Sequence, residues 1–431
     1  MLTRKKGYFK NYLTVREKWN AEYAEMAIRY PYLIKALTTY LQHRVADETL
    51  GAVLSLQRIL KFHEFDSIRG SLRLWRMKMS EIKKSRKPAI CYSLHRWRGI
   101  EKDLVSCLPR TYSIKNMRYG FYDYRVTVYS SAVIREMISS LINVHLDLKR
   151  LELSKLRRYN DECRTLVERY SELIRSNSVK AIISEDFPTI AGKICLMASR
   201  SVGLKTIELS HGLPSARNLI TCMPIETDSL VVFTQELVES IRTDLGDIDG
   251  TERLRSFGAP YVLPRSQKKA SSIPRVLFLF PYYEGKTRTS EKYCTIVNCL
   301  ETIIKNKRLL LRIRPHPREN KTTLPTRLQE LFETHLTNIK DSFEDVLASQ
   351  FVVGESSTVL LEACLCNVPA LQIENRDVAD DFIWSIPQSD YVSFASSPLD
   401  LLDECAVLKS SPKPAFFDKE GFSEHVQHIL A

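Results

Sequence analysis

One histidine of this sequence stands between two prolines at the end of an apolar run. The stretch is "LLLRIRPHPREN", residues 309–320, and the histidine is His316. Proline fixes its own backbone and favours extended geometry in the residue before it, so Arg314 and His316 should both stay extended. Open α/β sheets bind ligands beyond the carboxyl ends of their strands. Arg314 and His316 are therefore candidates for binding a phosphate or a base carbonyl.

Three hydroxyl residues follow a second apolar run. In "VVGESSTVLLEA", residues 352–363, a short strand ends in glycine, and Ser356, Ser357 and Thr358 begin a helix. The first N–H groups of a helix lack internal partners and carry partial positive charge, which suits a phosphate. Glu362 lies one turn after Thr358 and could accept hydrogen bonds from ribose hydroxyls. A serine that only caps the helix is the alternative.

Two further strand ends carry groups that could act as a general base. "TIELSHGLPSARN", residues 206–218, places His211 directly after a strand, where an imidazole could deprotonate an acceptor hydroxyl. "SEDFPT", residues 184–189, places Glu185 and Asp186 after the preceding strand. Either carboxylate could be the base itself, could orient His211, or could simply cap the helix that follows.

A loop in the second half adds a cation. "PYYEGKTRTSEKY", residues 281–293, follows a strand and contains Lys286, which could reach a donor phosphate. A solvated loop charge is the alternative reading of this lysine.

The elements that position these groups alternate between strand and helix. Apolar runs bounded by turn residues predict strands at 179–186, 204–212 and 228–234 in one half, and at 275–281, 308–317, 351–355 and 368–374 in the other. Helical patterns lie between them, which is typical of parallel sheets. We therefore expect an α/β protein with two Rossmann-like domains whose parallel sheets face a cleft. In the second sheet, the strand that ends at His316 should neighbour the strand at 351–353.

The domain boundaries follow from changes in pattern. We predict a basic helical extension at 1–86, an N-terminal Rossmann-like domain at 87–262 and a C-terminal Rossmann-like domain at 263–431, because 261–274 is polar, basic and flanked by prolines. Within the extension, Pro31 should interrupt the helical pattern, and "ADET" at 46–49 should start a new helix. The segment 129–176 should form two helices that break near 158–161.

The positive charge is concentrated at the start of the chain. The whole chain has 63 Lys and Arg against 51 Asp and Glu, and residues 1–87 hold 19 against 8 of these, a balance of +11. Such a segment suits an anionic membrane surface, with a solvated helical face as the alternative. No specific nucleic acid is expected. The sequence shows no spanning segment and no signal peptide, so we expect a cytoplasmic protein, peripheral at the inner face of the membrane.

The ten cysteines are scattered through apolar segments. None has zinc-site spacing, so we expect reduced packing residues. No DxD-type pair stands at a strand end, so we expect neither a metal nor a cofactor.

The order of these motifs resembles a known group of enzymes. "RPHP" followed about forty residues later by "GESSTVLLEA" resembles the HP and SS motifs of inverting GT-B glycosyltransferases that use CMP-activated sugars. These include bacterial sialyl- and polysialyltransferases and the Kdo transferases of capsule synthesis. The pattern is also similar to CDP-glycerol glycerophosphotransferases of teichoic acid synthesis. "SFGAP", residues 256–260, looks like the G-x-P that closes the N-terminal domain of such enzymes.

The resemblance implies a GT-B fold and a metal-independent, inverting transfer from a CMP-sugar to a saccharide or glycolipid acceptor. It implies that 87–262 is the acceptor domain and 263–431 the nucleotide-sugar donor domain. It also implies that His316, Ser356 and Ser357 bind the donor and that His211 is the base. The paired acidic residues followed by glycine, which serve as base in several sialyltransferases, are not matched, because "SED" lacks the glycine. The alternatives are a CDP-polyol phosphotransferase, a binding protein that acts through residues 1–87, and a nucleotide-sugar epimerase.

Overall fold

The computed structural model describes most of the predicted elements. Its described residues are 8–50, 87–93, 100–116, 124–144, 147–185, 187–210, 223–258, 275–281, 290–305, 309–316, 319, 324–339, 341–354, 357–366, 368–373, 393–395 and 417–431. The chain divides into two compact units. The N-terminal unit is Met1–Phe257 together with Asp418–Ala431, and the C-terminal unit is Gly258–Phe417.

The described residues contain both strands and helices in alternation. The strands are β1 (Ala89–Ser93), β2 (Ser113–Asn116), β3 (Val179–Ser184), β4 (Lys205–Leu209), β5 (Ser229–Val232), β6 (Leu254–Ser256), β7 (Arg275–Phe280), β8 (Leu310–Pro315), β9 (Phe351–Gly354), β10 (Ala370–Ile373) and β11 (Ser393–Ala395). The helices are α1 (Tyr8–Arg29), α2 (Pro31–Leu50), α3 (Glu101–Cys107), α4 (Tyr124–Asn143), α5 (Leu153–Ser176), α6 (Ile190–Ser201), α7 (Gln235–Leu245), α8 (Ser290–Lys305), α9 (Thr326–His335), α10 (Ser342–Leu347), α11 (Thr358–Leu365) and α12 (Lys419–Leu430).

Each unit is built on a parallel sheet. The strand order among the described residues is β2-β1-β3-β4-β5-β6 in the N-terminal unit and β11-β10-β9-β7-β8 in the C-terminal unit. Neighbouring strands in both sheets pair in parallel. Strands such as β1 are buried along their whole length, which explains their unbroken apolar sequences. The predicted fold class, two Rossmann-like units with parallel sheets and a helical N-terminal region, is confirmed.

The first two helices belong to the N-terminal unit. Helix α2 packs on α5 and α6, and its buried face includes Leu37 and Leu41. Asn160 of α5 accepts hydrogen bonds from the backbone N–H groups of Tyr32 and Leu33, which lie in the first turn of α2. Those N–H groups have no partner within their own helix. The segment 8–50 is thus packed into the unit, whereas the sequence predicted a separate extension. Residues 51–86 lie outside the described part.

Two predicted helix boundaries are wrong. The residues "ADET" at 46–49 continue α2, and the break between α4 and α5 lies at 144–152, not near 158–161. The turn at Leu148–Arg150 is capped by Asp147, whose side chain accepts from Lys149 N–H. Tyr159 and Asn160 stay helical because Tyr159 is buried and Asn160 caps α2. Pro31, by contrast, separates α1 from α2 as predicted.

The last helix returns to the N-terminal unit. Phe422 and Val426 of α12 are fully buried, and the Asp418 N–H donates to the Phe257 carbonyl at 2.7 Å. Ser423 Oγ also donates to the Cys107 carbonyl at the end of α3. The predicted domain at 263–431 therefore differs from the structure in its last fourteen residues. Apolar residues three to four apart in a terminal segment do not reveal which sheet they will cover.

Two further properties concern the cysteines and the hydropathy of the helices. Every cysteine that the structure describes is a free thiol, and most are buried. Within those same residues, no helix combines the length and the apolar character needed to cross a bilayer.

We predict that acidification loosens α12. Burial, with help from the charge of Arg255 and from His428, lowers the pKa of His425 to about 4, and His425 Nε2 lies 2.9 Å from Ser229 Oγ. A histidine that is neutral when folded takes up its proton more readily when unfolded. Neutral His425 therefore contributes fully to the free energy of unfolding at pH values above its ordinary pKa of 6.5. This contribution is lost as the pH falls from 6.5 to about 4. Urea midpoints measured across this range should fall in the wild type.

The variant His425→Gln tests the cause, because glutamine can keep the contact with Ser229 and does not titrate. Its urea midpoint should depend less steeply on pH than that of the wild type. Equal slopes in the two proteins would contradict the assignment.

Candidate functional site

The carboxyl ends of β9, β7 and β8 form one edge of the C-terminal sheet. β7 lies in the middle, with Phe280 level with Pro315 of β8 and Leu279 level with Gly354 of β9. The ladder extends one residue further, because the His316 N–H donates to the Phe280 carbonyl at 3.1 Å. The proline-flanked histidine is thus held at the end of its strand, as its sequence predicted.

The two donor-binding motifs share this edge without being adjacent. The sequence interpretation placed the strand of His316 next to the strand before the serines, and this is wrong, because β7 separates β8 from β9. With strands spaced about 4.8 Å apart, the ends of β8 and β9 lie about 10 Å from each other. A nucleotide with its phosphates spans such a distance. This separation depends on the order of the strands in the sheet, which residues close together in the sequence do not determine.

The end of β9 comes unusually close to its neighbour. A Cβ atom added to Gly354 would lie 2.9 Å from Leu279 Cβ, so any larger residue would push β9 away from β7. Three residues later Ser357 caps α11, with its Oγ accepting from the Val359 N–H at 3.3 Å. A serine hydroxyl that accepts this bond still has its own hydrogen to donate. The glycine therefore seats the beginning of α11 close to the sheet edge.

The remaining predicted donor residues differ in environment. His316 is exposed, and the Glu319 N–H donates to its carbonyl, which forms a turn directly after the strand. Glu362 of α11 is 9% exposed and so lies mostly inside the unit. Thr358 is the first residue of α11. Ser356 and Lys286 lie outside the described residues.

Arg314 is held by an ion pair beneath the edge. Its Nη1 lies 2.9 Å from Asp345 Oδ2 and donates to the Ile339 carbonyl, while Arg312 Nη2 lies 3.2 Å from the other oxygen of Asp345. Asp345 is completely buried in α10. Burial lowers the pKa of Arg312, Asp345 acts in the opposite direction, and Arg275 lowers it further. The structure thus ties the guanidinium of Arg314 to α10, and we treat it as a positioning residue.

The corresponding edge of the N-terminal sheet carries the predicted base. Glu185 follows β3, is 3% exposed, and donates its N–H to the Ser93 carbonyl of β1. β4 pairs beside β3 and extends to Ser210, the residue before His211. Strand spacing places these two chain ends about 5 Å apart. His211 and Asp186 themselves lie outside the described residues, so their roles stay predictions.

A row of buried polar side chains was missed by the sequence analysis. Ser93, Ser184 and Glu208 pair in register across β1, β3 and β4, and all three are almost completely buried. Ser210 continues β4 at the same edge. The signal was present, since "AICYS", "KAIIS" and "IELS" are three apolar strands that each end in serine. Buried polar groups require hydrogen-bond partners, so this row fixes how polar atoms are arranged at the edge.

Among the described residues, no group of three or more His, Cys, Asp and Glu side chains is arranged to hold a metal ion. Within the described part of the chain, the polar side chains at the two sheet edges are hydroxyls, an imidazole and carboxylates.

Comparisons with known proteins give structural similarity only. No protein-family model matches the chain, and no curated protein matches its sequence. The fold is similar to the S. aureus MnaA-UDP co-structure, with 11% identity over 80% of this chain and 97% of that one and a TM-score of 0.47. It is also similar to UDP-GlcNAc 2-epimerase from Neisseria meningitidis bound to UDP-GlcNAc, with 10% identity, coverage of 80% and 99%, and a TM-score of 0.44.

A third similar structure is the glycotransferase of kitacinnamycin, with 10% identity, coverage of 80% of this chain and 95% of that chain, and a TM-score of 0.44.

We predict that Asp345→Asn destabilises the protein. The change leaves the guanidiniums of Arg312 and Arg314 partly buried without a counter-charge, and removing one partner of a buried ion pair costs about 3 kcal/mol. The free energy of unfolding, measured by circular dichroism in urea, should fall by that amount. Glu330→Gln is the matched control, because Glu330 pairs with Arg327 at the surface. An equal effect of the two changes would show that the buried network does not stabilise the fold.

Proposed function

We propose that the protein is a glycosyltransferase that moves a sugar from a nucleotide-activated donor to a saccharide or glycolipid acceptor. The single observation that supports this most strongly is the common edge of the C-terminal sheet, where His316 and the Ser357-capped start of α11 stand about two strand spacings apart. One group is an exposed imidazole and the other is a helix beginning with a hydroxyl. Together they suit the two ends of a nucleotide phosphate.

The donor is held chiefly through its charge. The Thr358 N–H at the start of α11 and the Ser357 hydroxyl donate to a phosphate oxygen, and the partial positive charge of the helix end favours the anion. His316 donates to a second phosphate oxygen or to the base. These donors also stabilise the phosphate that leaves when the glycosidic bond breaks. We therefore propose a metal-independent reaction, in which helix and imidazole take up the charge of the leaving group.

The nucleotide is proposed to be CMP, on the resemblance of the HP and SS motifs to enzymes that use CMP-activated sugars. Ser356 and Lys286 are proposed to add contacts to its phosphate, and Glu362 to its ribose. Of the similar structures named above, one contains UDP and another contains UDP-GlcNAc. Uridine donors therefore belong in the same assay.

The acceptor is proposed to bind at the carboxyl edge of the N-terminal sheet. There His211 deprotonates the acceptor hydroxyl as it attacks the anomeric carbon opposite the leaving phosphate, which inverts the configuration. Glu185 or Asp186 orients His211 or replaces it as the base. Support comes from Glu185, whose backbone is fixed on β1 beside the strand that leads to His211.

The basic residues 1–87 are proposed to contact an anionic membrane surface from the cytoplasmic side, where a glycolipid acceptor would be reached. Their balance of 19 Lys and Arg against 8 Asp and Glu supports this contact.

We predict that the protein releases nucleotide from a sugar donor and that this activity depends on His316. Purified protein is incubated with CMP-Kdo, CMP-sialic acid, UDP-sugars and CDP-glycerol, and the released nucleotide is identified by chromatography. His316→Ala removes a hydrogen bond to a charged group and should lower the rate by roughly tenfold to a hundredfold. His428→Ala, which removes an exposed histidine of α12, is the control and should keep the wild-type rate.

The same assay separates the alternatives. Release of CMP from CDP-glycerol alone would identify a phosphotransferase, and conversion of a UDP-sugar without acceptor into another UDP-sugar would identify an epimerase. No release from any donor, with the protein folded, would refute the enzyme assignment.

Loss of the base in His211→Ala should reduce transfer by roughly a hundredfold or more while donor binding persists.

We also predict that Ser357→Asp keeps the helix and loses the donor. Aspartate caps a helix as well as serine does, so α11 should remain intact. Its negative charge at the phosphate position should prevent the rise in melting temperature that the released nucleotide gives the wild type. The control is Thr189→Asp, which exchanges the cap of α6, where Thr189 accepts from the Gly192 N–H. Equal ligand stabilisation in both variants would exclude phosphate binding at Ser357.

A further inference from the structure

The N-terminal unit contains a cavity that the proposed reaction does not use. It has a volume of about 370 Å³ and lies against α1 and α2, with Glu226 from the segment before β5 and Lys193 of α6 in its wall. Glu226 precedes the amino end of β5, whereas Glu185 and Ser210 follow the carboxyl ends of their strands. In a parallel sheet these are opposite edges. The cavity is therefore separate from the proposed acceptor edge.

One carboxylate in the wall faces three cations. Glu226 lies 3.1 Å from Lys35 Nζ, 3.3 Å from Lys193 Nζ and 3.4 Å from the guanidinium of Arg200. Lys193 is buried, while the Lys35 side chain is 37% exposed. A single carboxylate neutralises one of these charges. The cluster therefore has a net charge of +2, and two of its three cations, Lys35 and Lys193, line the cavity.

Neither protonation of Glu226 nor another charged residue of the wall changes the excess positive charge around Glu226. Burial alone would raise the pKa of Glu226, but Lys193, Lys35 and Arg200 together hold it below its ordinary value, so the carboxylate stays ionised. Arg16 and Asp249, which also line the cavity, pair with each other at 2.7 Å. Ion pairs of this kind contribute no net charge, so the surplus around Glu226 remains.

The rest of the wall is largely apolar. Val15 and Ile34 are almost completely buried, and Trp19, Pro31 and Pro224 complete this side. A volume of a few hundred cubic ångströms with an apolar wall and a few charged groups is typical of sites for small organic molecules. The charge selects an anion, and the apolar wall selects a molecule with a hydrocarbon or aromatic part.

Two of the lining side chains carry polar atoms that lack a hydrogen bond among the described residues. These are the indole Nε1 of Trp19 and the amide oxygen of Gln42, whose amide nitrogen donates to the Met223 carbonyl at 2.8 Å. Gln42 is 7% exposed. Buried polar atoms without partners cost free energy, which a ligand with its own donor and acceptor would recover.

We propose that this cavity binds a small organic anion that has an apolar part, such as an alkyl or aryl phosphate or carboxylate. The anionic group lies at Lys35 and Lys193 beside Glu226, and Arg200 offsets the charge of Glu226 from outside the cavity wall. The apolar part lies against Trp19, Ile34 and Val15. This site is independent of the donor and acceptor edges and does not require the transfer reaction.

The test uses octyl phosphate below its micelle concentration as the probe. Full-length protein is titrated by calorimetry, with 1-octanol and inorganic phosphate as separate ligands. Octyl phosphate should bind one to one, and each of the other two should bind at least roughly tenfold more weakly, since each lacks one of the two recognised parts. Octanol binding as tightly as octyl phosphate would overturn the anion site, and equally tight phosphate would overturn the apolar part.

Three variants locate the binding. Lys35→Gln should weaken octyl phosphate roughly tenfold, because it removes one charge-assisted hydrogen bond. Lys155→Gln is the matched control, because Lys155 of α5 is similarly exposed and its Nζ lies 3.9 Å from a carboxylate oxygen of Glu152. This variant should bind octyl phosphate as the wild type does. Ala27→Phe fills the cavity without changing its charge and should abolish binding. Absence of binding to the wild type, or binding unchanged in both Lys35→Gln and Ala27→Phe, would refute the proposal.

Discussion

The close contact between Gly354 and Leu279 is the constraint on which the donor edge depends. With only 2.9 Å between Leu279 Cβ and the position of a Cβ on residue 354, β9 can pair with β7 at this level only if residue 354 is glycine. Helix α11 begins four residues after this contact. Ser357 then caps that helix, and the His316 N–H bonds to Phe280 on the other side of β7. Both proposed phosphate contacts are thus placed by backbone pairing.

The sequence predicts the parts of this arrangement that depend on neighbouring residues. The prolines around His316 and the Gly–Ser pattern before α11 act within a few residues, and the elements appear where they were expected. What the sequence could not supply are contacts between distant segments. The insertion of β7 between β8 and β9, the capping of α2 by Asn160 and the return of α12 are all of this kind. Each depends on packing that no local pattern records.

Some of the missed features had a weak signal. The serines that end β1 and β3 and that follow β4 can be read from the sequence. Only the strand register shows that Ser93, Ser184 and Glu208 lie in one row. Arg314 shows the opposite case. Its position beside His316 predicts a ligand contact, which stays a prediction, and the structure adds a pairing of its Nη1 with Asp345, a residue thirty-one positions away. A charged side chain next to a site is as readily used to hold the strand as to bind the ligand.

The two sheet edges differ in the environment of their polar groups. At the edge of the C-terminal sheet the groups are a helix end, a capping hydroxyl and an exposed imidazole, which recognise a phosphate that every nucleotide donor shares. At the edge of the N-terminal sheet the polar groups are buried side chains fixed by strand register. Buried polar groups pair within the fold, so this row stabilises the arrangement of the strand ends. Under the proposed function, the C-terminal edge therefore recognises the donor through its own hydroxyl and imidazole, whereas the N-terminal edge supplies a fixed frame for the residues that follow its strands.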